Sequence, residues 1–188
     1  MNIQQLTQQA YETACAHGFH DKPLPNEHFF MLIITEVSEL VEADRKNRHA
    51  DITDFKKAMR DINPETHPSY FKTCFEDCIK NSVEDELDDI AIRIFDLAGY
   101  RKWTLDEHFE PDWGHDITQF GKSFTEKAYY LCTILCGDIL GDDGEQKVNC
   151  ALVYVIDFAT LLNVNLSWHI EQKMRYNALR SKLHGKKY

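Results

Sequence analysis

Two pairs of acids have the spacing that can hold a metal ion. Glu36 and Glu39 form an ExxE pair, and Glu86 and Asp89 form an ExxD pair. On a helix, residues three apart lie one turn from each other on the same side. Hard carboxylate oxygens grouped in this way suit Mg²⁺, with Mn²⁺ as an alternative. Glu36 is the most informative of the four. With Leu32 at zero and about 100° per residue, Ile33, Val37 and Leu40 form an apolar stripe, and Glu36 falls inside it at about 40°. Glu39 borders the stripe and Glu42 turns to solvent. A glutamate inside a core-facing stripe is costly unless it is paired or binds a cation.

The second pair is placed less sharply. Glu86 borders the apolar face of Leu87, Ile90, Ala91 and Ile94, while Asp89 lies further out, four residues before Arg93. A solvated acidic edge with an Asp89–Arg93 helix ion pair is the plain structural alternative. A di-iron site needs Glu-x-x-His, and no histidine here has a glutamate three residues before it. Near the C-terminus, Lys173, Asn177 and Arg180 share one helix face, where lysine and arginine can bind phosphate. Basic residues late in a helix also complement its dipole, which is the structural alternative there.

These residues must be positioned by helices, because the apolar pattern is helical nearly throughout and sustained β alternation is missing. Helices are expected over 2–17, ended by Gly18, and from a capping Asn26 to about Lys46. Residues 47–81 are less regular and contain one helix over 69–80, with Phe71, Phe75 and Ile79 on one side. Ser82 and Asp85 start a helix that ends at Gly99, and Thr104 and Glu107 start a short one before Pro111. After a loop around Trp113, helices follow over 117–137, 145–162 and 166–183. The fold class is an all-α bundle in a single domain over 1–188, as the length suggests. Asp96, Ala98, Leu105 and His108 are matched 61 positions on by Asp157, Ala159, Leu166 and His169. This is a candidate helix-pair duplication, balanced against chance; its second copy has Lys147 for Glu86 and Cys150 for Asp89.

The composition narrows the partners. A net charge of −10, from 31 acids against 21 Lys and Arg, argues against long nucleic acids, which are bound by a basic face. It leaves room for a small phosphorylated substrate that brings Mg²⁺ with it. No run approaches the roughly 18 apolar residues of a membrane span, and no secretory signal core is present. The six cysteines, including Cys74/Cys78 and Cys132/Cys136, lack zinc-site spacing and read as small buried thiols of a cytoplasmic protein.

Glu36-Val-Ser-Glu39-Leu-Val-Glu42, then Asp85-Glu86-Leu-Asp88-Asp89, resemble the ExxE…ExxD signature of MazG-like nucleotide pyrophosphohydrolases. Lys173-Met-Arg-Tyr-Asn177-Ala-Leu-Arg180 is similar to that family's K-x-x-x-N-x-x-R segment, and Gly18-Phe19 after the first helix is also in keeping. The matching pieces cover about residues 2–46, 82–105 and 157–182. Residues 47–81 form a longer spacer and 106–156 an extra helical segment.

The resemblance implies a MazG-like helical fold and Mg²⁺-dependent hydrolysis of a nucleoside triphosphate to monophosphate and pyrophosphate. It implies Glu36, Glu39, Glu86 and Asp89 as metal ligands, with Glu36 and Glu39 in the catalytic step and Glu39 accepting a proton from the attacking water. Lys173, Asn177 and Arg180 would meet the substrate. The base would need an aromatic slot, to which Phe29, Phe30 or Tyr176 would contribute. It further implies a homo-oligomer, dimeric or larger, so the basic helix could serve a neighbouring subunit. The alternatives are a non-enzymatic helical interaction module or degenerate family member, and a metal-dependent hydrolase of another phosphate ester.

Overall fold

The computed structural model describes residues 2–106, 108–111, 114–137, 143–185 and 187. Among them there is no β-strand; eight α-helices account for the fold. They are α1 (Ile3–Ala16), α2 (Asn26–Arg45), α3 (Ile52–Ala58), α4 (Pro68–Cys78), α5 (Val83–Arg101), α6 (Phe124–Cys136), α7 (Gly144–Leu161) and α8 (Leu166–Ala178). The all-α expectation is met. No single described helix is long and apolar enough to cross a membrane.

α5 is the axis of the molecule. It packs against α1, α2, α7 and α8, and α6 closes a four-helix ring by joining α2 to α7. Buried residues run almost all the way round α5, from Val83 to Ala98, as expected of a helix enclosed by neighbours. Ile33, Val37 and Leu40 of α2 meet Leu87, Ile90, Ile94 and Phe95 of α5 in the main core. A second, smaller core joins α3 and α4 to α8 through Phe55, Phe71, Phe75, Ile79 and Tyr176. The Phe71/Phe75/Ile79 side expected from the spacing is therefore real, and it faces α8.

Several helix ends differ from the expectation, each for a local reason. Asn26 is the first residue of α2 rather than its cap; its side-chain oxygen accepts a 2.7 Å hydrogen bond from Arg101 Nε. α5 does not stop at Gly99. That glycine is where α1 crosses, since a Cβ there would lie 2.6 Å from the Cβ of Tyr11. The helix closes at Lys102, which takes a left-handed conformation at φ 60°. Ser82 caps α5 as expected, receiving the Asp85 N–H at 3.2 Å, but Asp85 returns its carboxylate to Asn81 N rather than to Ser82.

Residues 103–106 are not helical, so no helix starts at Thr104; Glu107 and Trp113, also named above, lie outside the described residues. The expected 117–137 helix is a short 3₁₀ turn (Ile117–Phe120), a break at Gly121 with φ 119°, and α6 begun by a Ser123/Glu126 capping box. α8 ends at Ala178 instead of 183, because the chain turns back to α1: Leu183 N donates to His17 O at 2.9 Å. α3 was not anticipated. Seven residues hold too little periodicity to signal themselves, and its buried Phe55 packs only once the chain has folded.

The 61-residue repeat is one helix and its closing turn. Residues 83–101 map onto 144–162, matching α7 almost end to end. Lys102 and Asn163 both sit at positive φ, and Trp103 N to Ala98 O is repeated by Val164 N to Ala159 O. Both aspartates of the repeat meet a histidine, His20 at Asp96 and His115 at Asp157. The following helix α8 has no helical counterpart among the described residues of 105–117, so a duplicated pair does not extend that far.

Candidate functional site

The carboxylates gather where α2, α5 and α8 meet. Glu36 is buried in mid-α2, as the stripe required. One of its oxygens, with one from Glu86 and one from Asp89, forms a group whose members lie within 4.8 Å of one another. Glu39 lines the same cleft from an exposed position at its rim and is outside that three-acid group. Burial, then the charge of Asp89, pushes the Glu36 carboxyl above its usual range, while Arg93 pulls the other way. Glu86 is pushed up to about 9 by burial and by Asp89 and Asp85, and its Oε2 is enclosed without a hydrogen-bond partner. The start of α5 offers some relief, because acids in a helix's first turn face its positive end.

The cations are placed differently from the expectation. Arg93 does not pair with Asp89 four residues earlier; its guanidinium reaches across to Glu36. Asp89 is held at 2.6 Å by Lys173, whose ammonium also donates to Asp85 at 2.7 Å. Lys173 is 2% exposed. Burial disfavours its charge, but Asp89, Asp85 and Asp88 outweigh this and hold its pKa well above the usual value. Lys173 is thus the countercharge of the acids. Lys173 does line the cleft, as expected, but its ammonium is shared between two carboxylates, and a phosphate would have to compete with them.

Tyr176 is also corrected. It faces away from the cleft, stacks on Phe75 at 4.5 Å between ring centres and donates its hydroxyl to Glu76 at 2.8 Å. Asn177 and Arg180 do line the cleft. Phe29 lines it as well, whereas Phe30 is packed against the core outside it.

Two further residues belong to this picture. Asp88 is fully enclosed on α5, with both oxygens unpartnered. Burial and the charge of Asp85 push it well above the normal carboxyl range, favouring its protonated form. With about 100° per residue Asp88 falls about 20° beyond Phe95, bordering the apolar face on the side opposite Glu86, so the spacing that marked Glu86 marks Asp88 too. Lys80, just before the turn at Asn81, lines the cleft too. It falls beyond the end of α4, where periodicity says nothing of direction.

The cleft has a volume of about 340 Å³ and two unlike ends. One end is charged, with Glu36, Glu86, Asp89, Lys80, Asn177 and Arg180. The other is mainly apolar, with Ala10, Ala14, Phe19, Leu24, Phe29 and Leu32. An arrangement of this kind can bind a polyanion through a cation at one end and a flat apolar group at the other.

The cysteines correct a further expectation: Cys74 and Cys150 are buried, but Cys15 and Cys136 are exposed and Cys78 and Cys132 are partly so; all six are free. Compared with family models, with curated proteins and with solved structures, the chain gives no match in any of the three.

Proposed function

We propose that the cleft binds a nucleoside triphosphate with Mg²⁺ and hydrolyses it to the monophosphate and pyrophosphate. The observation that carries this reading is Glu86 Oε2, enclosed without a partner beside Glu36 and Asp89, with all three carboxylates close enough to share one ion. A buried acceptor lacking a donor is costly, and a divalent cation is the partner that its surroundings fit. Such an ion would offset phosphate charge and make a nearby water more acidic. Glu36, Glu86 and Asp89 would hold it. Glu39, at the rim, would accept the proton of the attacking water. Arg180, Asn177 and Lys80 would steady the phosphates, and the apolar end would take the base. Water would add to the α-phosphorus as the bond to the bridging oxygen breaks, with pyrophosphate leaving. The likeness of Glu36–Glu39, Glu86–Asp89 and Lys173–Arg180 to MazG-like signatures supports the same reading, with Mn²⁺ as an alternative ion and a homo-oligomer as the expected state.

A second reading has its own support. Arg93 on Glu36 and Lys173 on Asp85 and Asp89 are the ion pairs expected of a helical interaction module with no ion to bind. A panel of nucleoside triphosphates with Mg²⁺ or Mn²⁺, assayed for pyrophosphate and for orthophosphate, separates the two. Pyrophosphate release abolished by Glu36→Gln is expected. Release of orthophosphate alone means cleavage of the terminal phosphoanhydride and rejects the pyrophosphohydrolase reading, and Glu36→Gln acting at the wild-type rate rejects the site.

A further inference from the structure

The apolar end of the cleft holds a buried charge that the phosphate chemistry does not use. Asp96 shares one stripe of α5 with Glu86, Asp89 and Arg93, two turns beyond Asp89 and about 10 Å further along the helix. A sugar and a base together bridge a gap of that order. The Asp96 side chain is 18% exposed and lines the cleft, with Phe19, Leu24, Phe29 and Leu32 lining the same end.

Its orientation is fixed from behind. His20 Nε2 lies 2.6 Å from Asp96 Oδ1, and the His20 ring stacks on Tyr100 at 4.4 Å and faces Phe29 at 5.7 Å. One carboxylate oxygen is thereby anchored, and the group is held at the edge of the space where a flat ring would lie.

We infer that Asp96 determines base specificity, accepting a hydrogen bond from an exocyclic amino group of the base, with His20 as its positioning residue. This rests on the nucleotide reading above. An ionised carboxylate only accepts hydrogen bonds. Cytosine, adenine and guanine each offer an amino donor, and aspartate accepting from the cytosine amino group is a recurrent pairing. Uracil and thymine set a carbonyl oxygen where cytosine has its amino group, so two acceptors would face each other across the cleft. Amino-bearing bases are therefore favoured over uracil and thymine.

The alternative is that the pair merely ties the loop after α1 to α5, as His115 and Asp157 do on α7, outside the cleft. CTP and UTP separate the two, being matched in size. The wild type is expected to favour CTP by about 10-fold or more in kcat/KM. Asp96→Asn, whose amide can turn its NH₂ to the uracil oxygen, is expected to erase or invert that ratio, and Asp157→Asn to keep it. His20→Gln should lower the ratio, with thermal melting confirming that each variant is folded. A wild-type ratio within about twofold, or an unchanged ratio in Asp96→Asn, overturns the inference. Titration calorimetry with CMP and UMP distinguishes its failure from that of the hydrolase reading. Preference for CMP without any triphosphate hydrolysis rejects the hydrolase and keeps the base contact, while equal or absent binding rejects the base contact.

Discussion

α5 and α7 run in register 61 positions apart and close through the same left-handed residue and the same backbone hydrogen bond, yet they bury different things. Where α5 has Glu86, Asp88, Asp89 and Arg93, α7 has Lys147, Asn149, Cys150 and Tyr154. From Val148 to Val155, α7 is enclosed mostly by apolar side chains, and its Asn149 is satisfied by Thr104 O, Glu145 O and Asp106 N. α5 keeps Glu86 Oε2 and both Asp88 oxygens enclosed and unpartnered. α7 therefore shows that a helix of this length packs into the bundle without carboxylates at these three registers. The unpartnered acids of α5 are the feature that the proposed metal site would explain.

The sharpest way to break that contrast is to neutralise the acids one at a time. Glu86→Gln and Glu36→Gln are expected to lower pyrophosphate release by about 100-fold or more, with Mn²⁺ binding lost in calorimetry and the helical circular dichroism kept. Full activity in either variant would mean that the substituted acid takes no part in the proposed chemistry.

Removing the countercharge is the next largest perturbation. Lys173→Met leaves Asp85 and Asp89 without their ammonium and is expected to cost about 3–5 kcal/mol in urea unfolding. Cys150→Asp places on α7 the residue that α5 carries at Asp89. It enters a position that is 1% exposed among apolar side chains and is expected to cost about 3 kcal/mol. If that variant unfolds at the wild-type midpoint, α7 tolerates acids as readily as α5 and the comparison teaches nothing about function.

The smallest expected effect is a pH dependence. In the unfolded chain the Glu86 carboxyl ionises near its ordinary value of 4.5, and in the folded protein near about 9. The folded state thus holds an extra proton between these values, so this contribution to stability is present below 4.5 and lost as pH rises towards 9. His169 acts in the opposite direction lower down. Burial lowers its pKa from 6.5 to about 4, so stability falls as pH drops through that interval. Between pH 6.5 and 9 only the Glu86 trend remains of the two. Unfolding midpoints in EDTA should fall over this range for the wild type and fall less for Glu86→Gln; parallel curves would show that Glu86 is not the titrating group.

Much of this was legible in the sequence, and the limits have physical causes. Periodicity gave the long helices and put Glu36 inside the core, because 3.6-residue spacing is a local property. It could not tell which cation would meet which acid. Arg93 lies four residues from Asp89 on one helix, yet it pairs with Glu36 on another, and Asp89 is claimed by Lys173. Those choices are made by helix packing. Tyr176 follows Lys173 by three residues and shares its side of α8, but Phe75 and Glu76 of α4 draw it into the smaller core. Gly99 read as a helix end by residue type alone, when its role is to let α1 pass close to α5. Lys80 was invisible because it stands beyond the end of α4, whereas Asp88 borders the apolar face of α5 as Glu86 does and was within reach of the same spacing.

The pairing of Lys173 with Asp85 and Asp89 also sets an order of events during synthesis. The chain emerges from the ribosome N-terminus first, so α5 is made long before the lysine that neutralises it. Until α8 appears, the acids have no reason to leave water, and α5 gains by staying loosely packed at that end. α8 therefore completes the interior last, delivering charge and cover together. A nascent chain halted after α7 would expose an acidic, half-buried helix, the form in which a quality-control protease or chaperone would find it.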